Sequence, residues 1–347
     1  MNIQELIRPT IKALKPYSSA RDEFQGNSGA MVFLDANENP FENGVNRYPD
    51  PQQRTVKSLL SNIKGISQSQ ILLGNGSDEV LDLIFRAFCE PNQDNIITLP
   101  PTYGMYSVLA NINAIAIKTV QLDENFQPNV NDILNIADAN SKLLFLCSPN
   151  NPTGNSFNAH AIERLVSEFK GIVVIDEAYI DFSNEQSWIT RLQDFPNLIV
   201  TQTLSKAYGM AGIRLGICYA SEVIISVFNR IKPPYNVNEL TQQRAIAQLE
   251  KNEETQQQVL KILKERDVLV DKLKEVDFVS EIYPTNANFV LAKVDDATKR
   301  YNQLIEKGIV VRNRTTQPRC KNCLRFTVGT KSENEKLIEC LQLISKS

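Results

Sequence analysis

The sequence holds one histidine, His160, in 347 residues. A Ser-His-Asp hydrolase or a multi-histidine metal centre would have to be built around that one side chain, and no GxSxG elbow accompanies it. His160 stands beside a predicted helix start and reads as a surface residue. Cysteines are sparse, six in all, so a disulfide framework is not expected. Cys320 and Cys323 have CxxC spacing. A zinc site would want a second close pair, and a redox motif would want a helix behind it where LRFTVG (324–329) reads as a strand. The two are expected to be plain loop cysteines. No apolar run has the length that crosses a bilayer, and MNIQELIRP lacks the basic and apolar regions of a signal peptide. A net charge of −3 offers no global attraction for nucleic acid or an anionic membrane. A cytoplasmic protein with neither nucleic-acid nor membrane partner is expected.

Hydrophobic residues make up 42% and charged residues 22%, as in an ordinary globular chain, and the length suggests two lobes. From about residue 71, apolar runs without strict alternation are separated by helical patterns. ILLGNGSDEVLDLIFRAF (71–88) passes from a short apolar segment through a glycine turn into a helix with Leu81, Ile84, Phe85 and Phe88 on one face. KLLFLC, GIVVID, NLIVTQT and LGICYA read as further strands, which predicts a mainly parallel sheet covered on both faces. Residues 238–275 contain no glycine or proline and read as a long helix with room for an interruption. Beyond it, ANFVLAKV, GIVVRN and LRFTVG suggest a small α+β lobe, with the boundary near 240.

Lys206 carries the chemical question. It lies in TLSKAYGMAGIRLG (203–216), where a strand gives way to small residues and a sharp turn. A lysine amine made available by desolvation or neighbouring cations can form a Schiff base. A cofactor such as pyridoxal phosphate then needs a phosphate cradle, a carboxylate for its ring nitrogen and an aromatic to stack on its ring. GNGSDE (74–79) offers an anion site at a helix start, with Ser77 as the expected cap. It is neither GxxxxGK[ST] nor GxGxxG, whose third glycine is Glu79 here. VIDEAY (174–179) places Asp176 at a strand end, where a buried carboxylate implies a cationic partner, and Tyr179 can reach the same pocket. SPNNPTG (148–154) can aim Asn151 into the crevice, and Tyr103 of PPTY (100–103) can stack on a flat ring. Thr203, Ser205 and Arg214 complete a phosphate cup. All these points lie at strand C-terminal ends, where open α/β sheets bind ligands.

GNGSDE, PPTY, SPNNPTG, DEAY and SKAYGMAGIRLG, in this order, resemble the fold-type I pyridoxal-phosphate aminotransferases, from LDANENP (34–40) to LRFTVG. KPYSSAR (15–21), LDANENP, RYPD (47–50) and the 312–325 segment are most similar to the histidinol-phosphate aminotransferases within that superfamily. The resemblance implies an α/β fold with a mainly parallel seven-stranded sheet in a large domain, residues 39–240, and a smaller α+β domain, 241–347, joined by an N-terminal arm, 1–38. It implies catalytic roles for Lys206, as Schiff-base lysine and proton shuttle, Asp176, at the ring nitrogen, and Tyr179. It implies that Asn151 and Tyr179 contact the phenolic oxygen and Tyr103 stacks on the ring. The phosphate would be held by Ser77, the Asp78 amide, Thr203, Ser205 and Arg214, and by Tyr48 of the other subunit in a homodimer with shared sites. Tyr17, Asn37, Arg312 and Arg325 would contact the substrates, histidinol phosphate and glutamate; Arg314 and Arg319 compete with Arg312 for that role. The expected reaction is transamination in histidine biosynthesis. An aromatic amino-acid aminotransferase or a threonine-phosphate decarboxylase on the same scaffold is the alternative, and a non-catalytic cofactor-binding regulator a remote one.

Overall fold

The computed structural model describes residues 2–15 and 32–345. Seven strands form the larger sheet: β1 (Ile71–Asn75), β2 (Asn95–Thr98), β3 (Ala116–Thr119), β4 (Ser141–Cys147), β5 (Ile172–Asp176), β6 (Leu198–Thr203) and β7 (Leu215–Ala220). Their order is β1-β7-β6-β5-β4-β2-β3. The pairs β6-β5, β5-β4, β4-β2 and β2-β3 are parallel, and β7 alone runs against both its neighbours. The smaller sheet is antiparallel, in the order β10-β11-β9-β8. Its strands are β8 (Val279–Ile282), β9 (Phe289–Val294), β10 (Arg312–Asn313) and β11 (Cys323–Thr327).

The apolar runs of the central strands are unbroken because each strand feeds two cores at once. Leu144 and Leu146 of β4, Val173 and Ile175 of β5, and Leu198 and Val200 of β6 point into one core with the helices 54–64 and 159–168. Phe145, Val174 and Ile199 point into the other, against helices 76–88, 105–112 and 222–231. Side chains alternate across a pleat, so a strand covered on both faces must be apolar at every position. Leu81, Ile84, Phe85 and Phe88 are all buried, as the helical spacing predicts.

Two expectations about organisation are corrected. The 238–275 helix is interrupted, as Glu239–Leu249 and Asn252–Leu273, but the change of core falls inside its second part and not near 240. Ala245, Leu249 and Val259 belong to a core that the larger sheet shares with Phe289 and Leu291 of the smaller one, whereas Leu269 and Leu273 belong to the outer core of the smaller sheet. No glycine or proline marks that crossing, because one continuous helix makes it. The described part of the N-terminal arm, residues 2–15, packs on the larger domain and not on the smaller. Ile3 and Ile7 are buried beside Phe88 and Phe228, the Arg8 amide donates to the Ala87 carbonyl, and the Arg8 side chain pairs with Glu90.

The antiparallel β7 positions the functional edge. Its first residues lie at the same edge as the C-terminal ends of β1 and β6, with Gly216 opposite both Gly74 and Thr203. A Cβ at Gly216 would lie 2.3 Å from Gly76 C and from Ser77 N, so only glycine lets the helix start at 76 sit on β7. Gly216→Ala is expected to destabilise the protein by about 2 kcal/mol through this overlap and to loosen anion binding at the helix start. Chemical denaturation with and without pyridoxal phosphate measures both effects; an unchanged midpoint would show that the approach is not tight.

Candidate active site

A cavity of about 540 Å³ opens at the C-terminal edge of the larger sheet, roofed by β10, β11 and the loop between them. Strand ends supply most of its lining. β5 ends in Asp176, β6 in Thr203 just before Ser205 and Lys206, and the loop after β4 carries Asn151. Lys206 stands where the chain must turn: the Gly209 amide donates to the Lys206 carbonyl (3.0 Å), the Met210 amide to the Leu204 carbonyl (3.0 Å), and Gly209 has φ 65°. That geometry explains the small residues that follow the lysine.

Asp176 is 4% exposed. Its carboxylate accepts from the Tyr106 hydroxyl (2.7 Å) and from the Ala178 amide (3.2 Å), neither of them cationic. The expected cationic partner is therefore not a hydrogen-bonded side chain; Lys206 is the cation near enough to favour its ionised form. Burial raises the Asp176 pKa, and the Tyr106 bond is the chief influence holding it down. A protonated ring nitrogen placed against this carboxylate would supply the missing charge. Tyr106 was not foreseen, because a fully buried tyrosine stacked on Phe145 at 4.7 Å looks in sequence like an ordinary core aromatic.

Lys206 is open to water in the cavity, yet the walls around it desolvate its amine. That desolvation first, then Arg325 and Arg214, lowers its pKa, while Asp176 and Asp78 oppose the shift. Its Nζ lies 5.6 Å from the centre of the Tyr179 ring, and Tyr179 packs edge-on against Phe289 at 5.1 Å. A neutral amine is the nucleophilic form, so the shift favours covalent chemistry.

Below the lysine is an anion cradle. The helix 76–88 has Asn75 as its N-cap with no side-chain capping bond, so Ser77 lies inside the first turn and is not the expected cap. Its first-turn amides face the cavity at the positive end of the helix dipole. The Gly76 amide is already bound to the Arg214 carbonyl (2.9 Å). Arg214 adopts φ 55° and meets Asp78 at 3.5 Å with both side chains about half open, a contact worth little by itself. Its guanidinium, the Thr203 and Ser205 hydroxyls and the Ser77 and Asp78 amides thus surround one site that suits a phosphate. Tyr103 lines the wall above and donates its hydroxyl to Asp78 at 3.2 Å. Asn150, fully buried, ties the loop after β2 to the loop after β4 by donating to the Pro101 carbonyl (2.9 Å), which frees Asn151 for the cavity. The residues present fit pyridoxal phosphate at each of its polar groups.

Arg312 and Arg325, thirteen apart in sequence, are direct cross-strand partners of β10 and β11. Both line the cavity, with Arg314 and Gln317 from the intervening loop. Arg325 donates to Asn151 Oδ1 and lies 4.9 Å from the Phe289 ring centre. The Asn151 NH2 group is thereby left to donate elsewhere. Arg319 is not among the lining residues. Cys320 and Cys323, expected as plain loop cysteines, are both fully buried, and the Cys323 thiol donates to the Lys321 carbonyl at 3.7 Å. Two of the sequence candidates are not brought to this cavity by the one chain. Asn37 and Tyr48 line a separate hollow of about 500 Å³, where Tyr48 is 51% exposed and stacked on Tyr235 at 4.4 Å. Tyr17 lies outside the described residues. Among the described residues no group of His, Cys, Asp and Glu could hold a metal ion.

The family pattern for aminotransferase class I and II matches residues 32–341. The chain belongs to the class I and II aminotransferases. It is 64% identical over 345 residues to the histidinol-phosphate aminotransferase of Flavobacterium johnsoniae, covering 99% of both chains. To that of Bacteroides fragilis it is 53% identical over 340 residues, 98% of each. Among solved structures, the histidinol-phosphate aminotransferase of Clostridium acetobutylicum superposes with a TM-score of 0.81 at 24% identity, over 87% of this chain and 92% of that one. The L-threonine-O-3-phosphate decarboxylase of Porphyromonas gingivalis gives 0.74 at 20% identity, over 88% and 92%. These last two likenesses bear on the fold, which is the expected fold-type I arrangement.

Tyr106→Phe keeps the stacked ring and removes the bond that lowers the Asp176 pKa. The Asp176 pKa should therefore rise, and activity that needs its ionised form should fail at a higher pH on acidification, by about 1 unit or more. The acidic limb of the rate profile measures this; an unmoved limb would show that Asp176 does not govern it.

Proposed function

We propose that this aminotransferase moves an amino group between L-histidinol phosphate and 2-oxoglutarate, as a step of histidine biosynthesis, with pyridoxal phosphate held at Lys206. The carrying observation is a single cavity with an anion cradle at one end, three arginines at the other, and Lys206 with buried Asp176 between them. The 64% identity to a histidinol-phosphate aminotransferase over nearly the whole chain supports the substrate. The phosphate of that substrate, which has no carboxylate, suits an arginine cluster.

When bound, pyridoxal phosphate supplies an electron sink for the bond broken at the substrate carbon. The Lys206 amine is the attachment point and then takes and returns the proton at that carbon. Asp176, whose ionised form the Tyr106 hydroxyl favours, would stabilise positive charge at the ring nitrogen. Asn151 and Tyr179 are the donors to the phenolic oxygen, and Tyr103 covers the ring. Ser77, the Asp78 amide, Thr203, Ser205 and Arg214 hold the phosphate. Arg312 and Arg325 hold the anionic end of whichever substrate is present. One site then serves both half-reactions, and the kinetics are ping-pong.

The chain works as a homodimer in the cytoplasm. Asn37 and Tyr48 support the dimer, since they lie outside their own cavity in an open hollow with Tyr235. They would complete the site of the other subunit, Tyr48 at the cofactor phosphate and Asn37 at the substrate; Tyr17 is proposed as a further substrate contact. Among the described residues no helix is long and apolar enough to cross a membrane.

Protein loaded with pyridoxal phosphate is mixed separately with L-histidinol phosphate, L-glutamate and L-phenylalanine. The absorbance of the bound aldehyde form should be lost rapidly with the first two, and Lys206→Ala should abolish the change. Reaction with phenylalanine but not with histidinol phosphate would move the protein to the aromatic aminotransferases.

A further inference from the structure

Between β10 and β11 the chain makes a compact loop rather than a simple hairpin. The Arg314 amide donates to the Cys323 carbonyl (2.8 Å) and closes it. Inside, the Gln317 amide donates to the Arg314 carbonyl (2.9 Å), the Cys320 amide to the Gln317 carbonyl (3.1 Å), and the Cys323 amide to the Cys320 carbonyl (3.0 Å). Four backbone bonds and two buried thiols therefore fix where the side chains of Arg314 and Gln317 stand, and both stand in the cavity wall.

Arg314 is costly where it is. No ion pair among the described residues involves Arg312, Arg314 or Arg325. The Nε atoms of Arg314 and Arg325 are both buried and without a hydrogen-bond partner. Burial first, then Arg325 and Arg312, pulls the Arg314 pKa down to about 10. A protein gains nothing from a guanidinium held among like charges with a donor unpaired, unless an anion completes the site. Arg325 already has Asn151 and the Phe289 face, which leaves it one edge, enough for a carboxylate. A phosphate monoester carries about two negative charges and three acceptor oxygens, more than one arginine edge can satisfy.

We propose that Arg314, assisted by Gln317, joins Arg312 and Arg325 on the substrate phosphate and is the specificity residue there, so that the site distinguishes a phosphate monoester dianion from the carboxylate of glutamate. The inference rests on the substrate reading given above and adds the residue that separates its two half-reactions.

The test compares the parent holoenzyme, Arg314→Gln and, as a charge-matched control outside the cavity wall, Arg319→Gln. In half-reactions followed by absorbance, Arg314→Gln should raise the half-saturating concentration of L-histidinol phosphate by about ten-fold or more and that of L-glutamate by less than about three-fold. Arg319→Gln should move both by less than about two-fold. Equal losses for both substrates in Arg314→Gln, or no loss, would overturn the proposal. A parent enzyme that ignores histidinol phosphate would refute the substrate reading instead. Arg314 is then judged by inorganic phosphate as an inhibitor of the glutamate half-reaction at saturating cofactor. Weaker inhibition in Arg314→Gln than in the parent supports it, and equal inhibition overturns it.

Discussion

A carboxylate buried at the end of a central strand is the constraint around which this molecule is arranged. Asp176 can be 4% exposed and still useful only because Tyr106 donates to it from one side and the cavity opens on the other. Burying an anion without a cation beside it is expensive, and the fold tolerates the expense where a ligand is meant to supply the balancing charge. The two-sided cores of β4, β5 and β6 hold that strand end rigidly. Preorganised charge is useful to catalysis only when it does not have to move.

Around Asp176 the charge is arranged in the opposite sense. An uncapped helix start with Arg214 makes one end of the cavity positive, and Arg312, Arg314 and Arg325 make the other end positive. Lys206 sits between the two, and both ends help to lower its pKa. The same fields that would attract two anionic groups therefore act with desolvation to favour the neutral, reactive form of the amine. This coupling needs β7 to run backwards, because only then does Arg214 begin its strand at the edge where β1 and β6 finish.

Much of this was legible because the site residues are tied to backbone necessities. Lys206, Asn151 and the 74–79 turn stand in glycine- and proline-rich stretches that a strand end requires, so type and place could be read together. Arg312 and Arg325 were legible as a pair, and the register of β10 and β11 supplies the reason for their spacing. Tyr106 was hidden, since a catalytic partner and a core aromatic leave the same mark on a helix face. Arg314 stayed one of several loop arginines, because a loop built from turn bonds carries no periodicity to say which side chain faces inward. The crossing between cores inside the 252–273 helix and the seat of residues 2–15 were illegible for a shared reason: helices that pass between cores, or lie on one, show no change of composition at the crossing. Asn37 and Tyr48 have no function legible within one chain.

The central claim is that the cofactor is bound at Lys206, opposite Asp176. The most direct measurement is to load the protein with pyridoxal phosphate, fix the bound cofactor with borohydride, digest, and map the modified peptide by mass spectrometry. The account predicts one stoichiometric modification, on Lys206. Modification of a different lysine, or none, would contradict it.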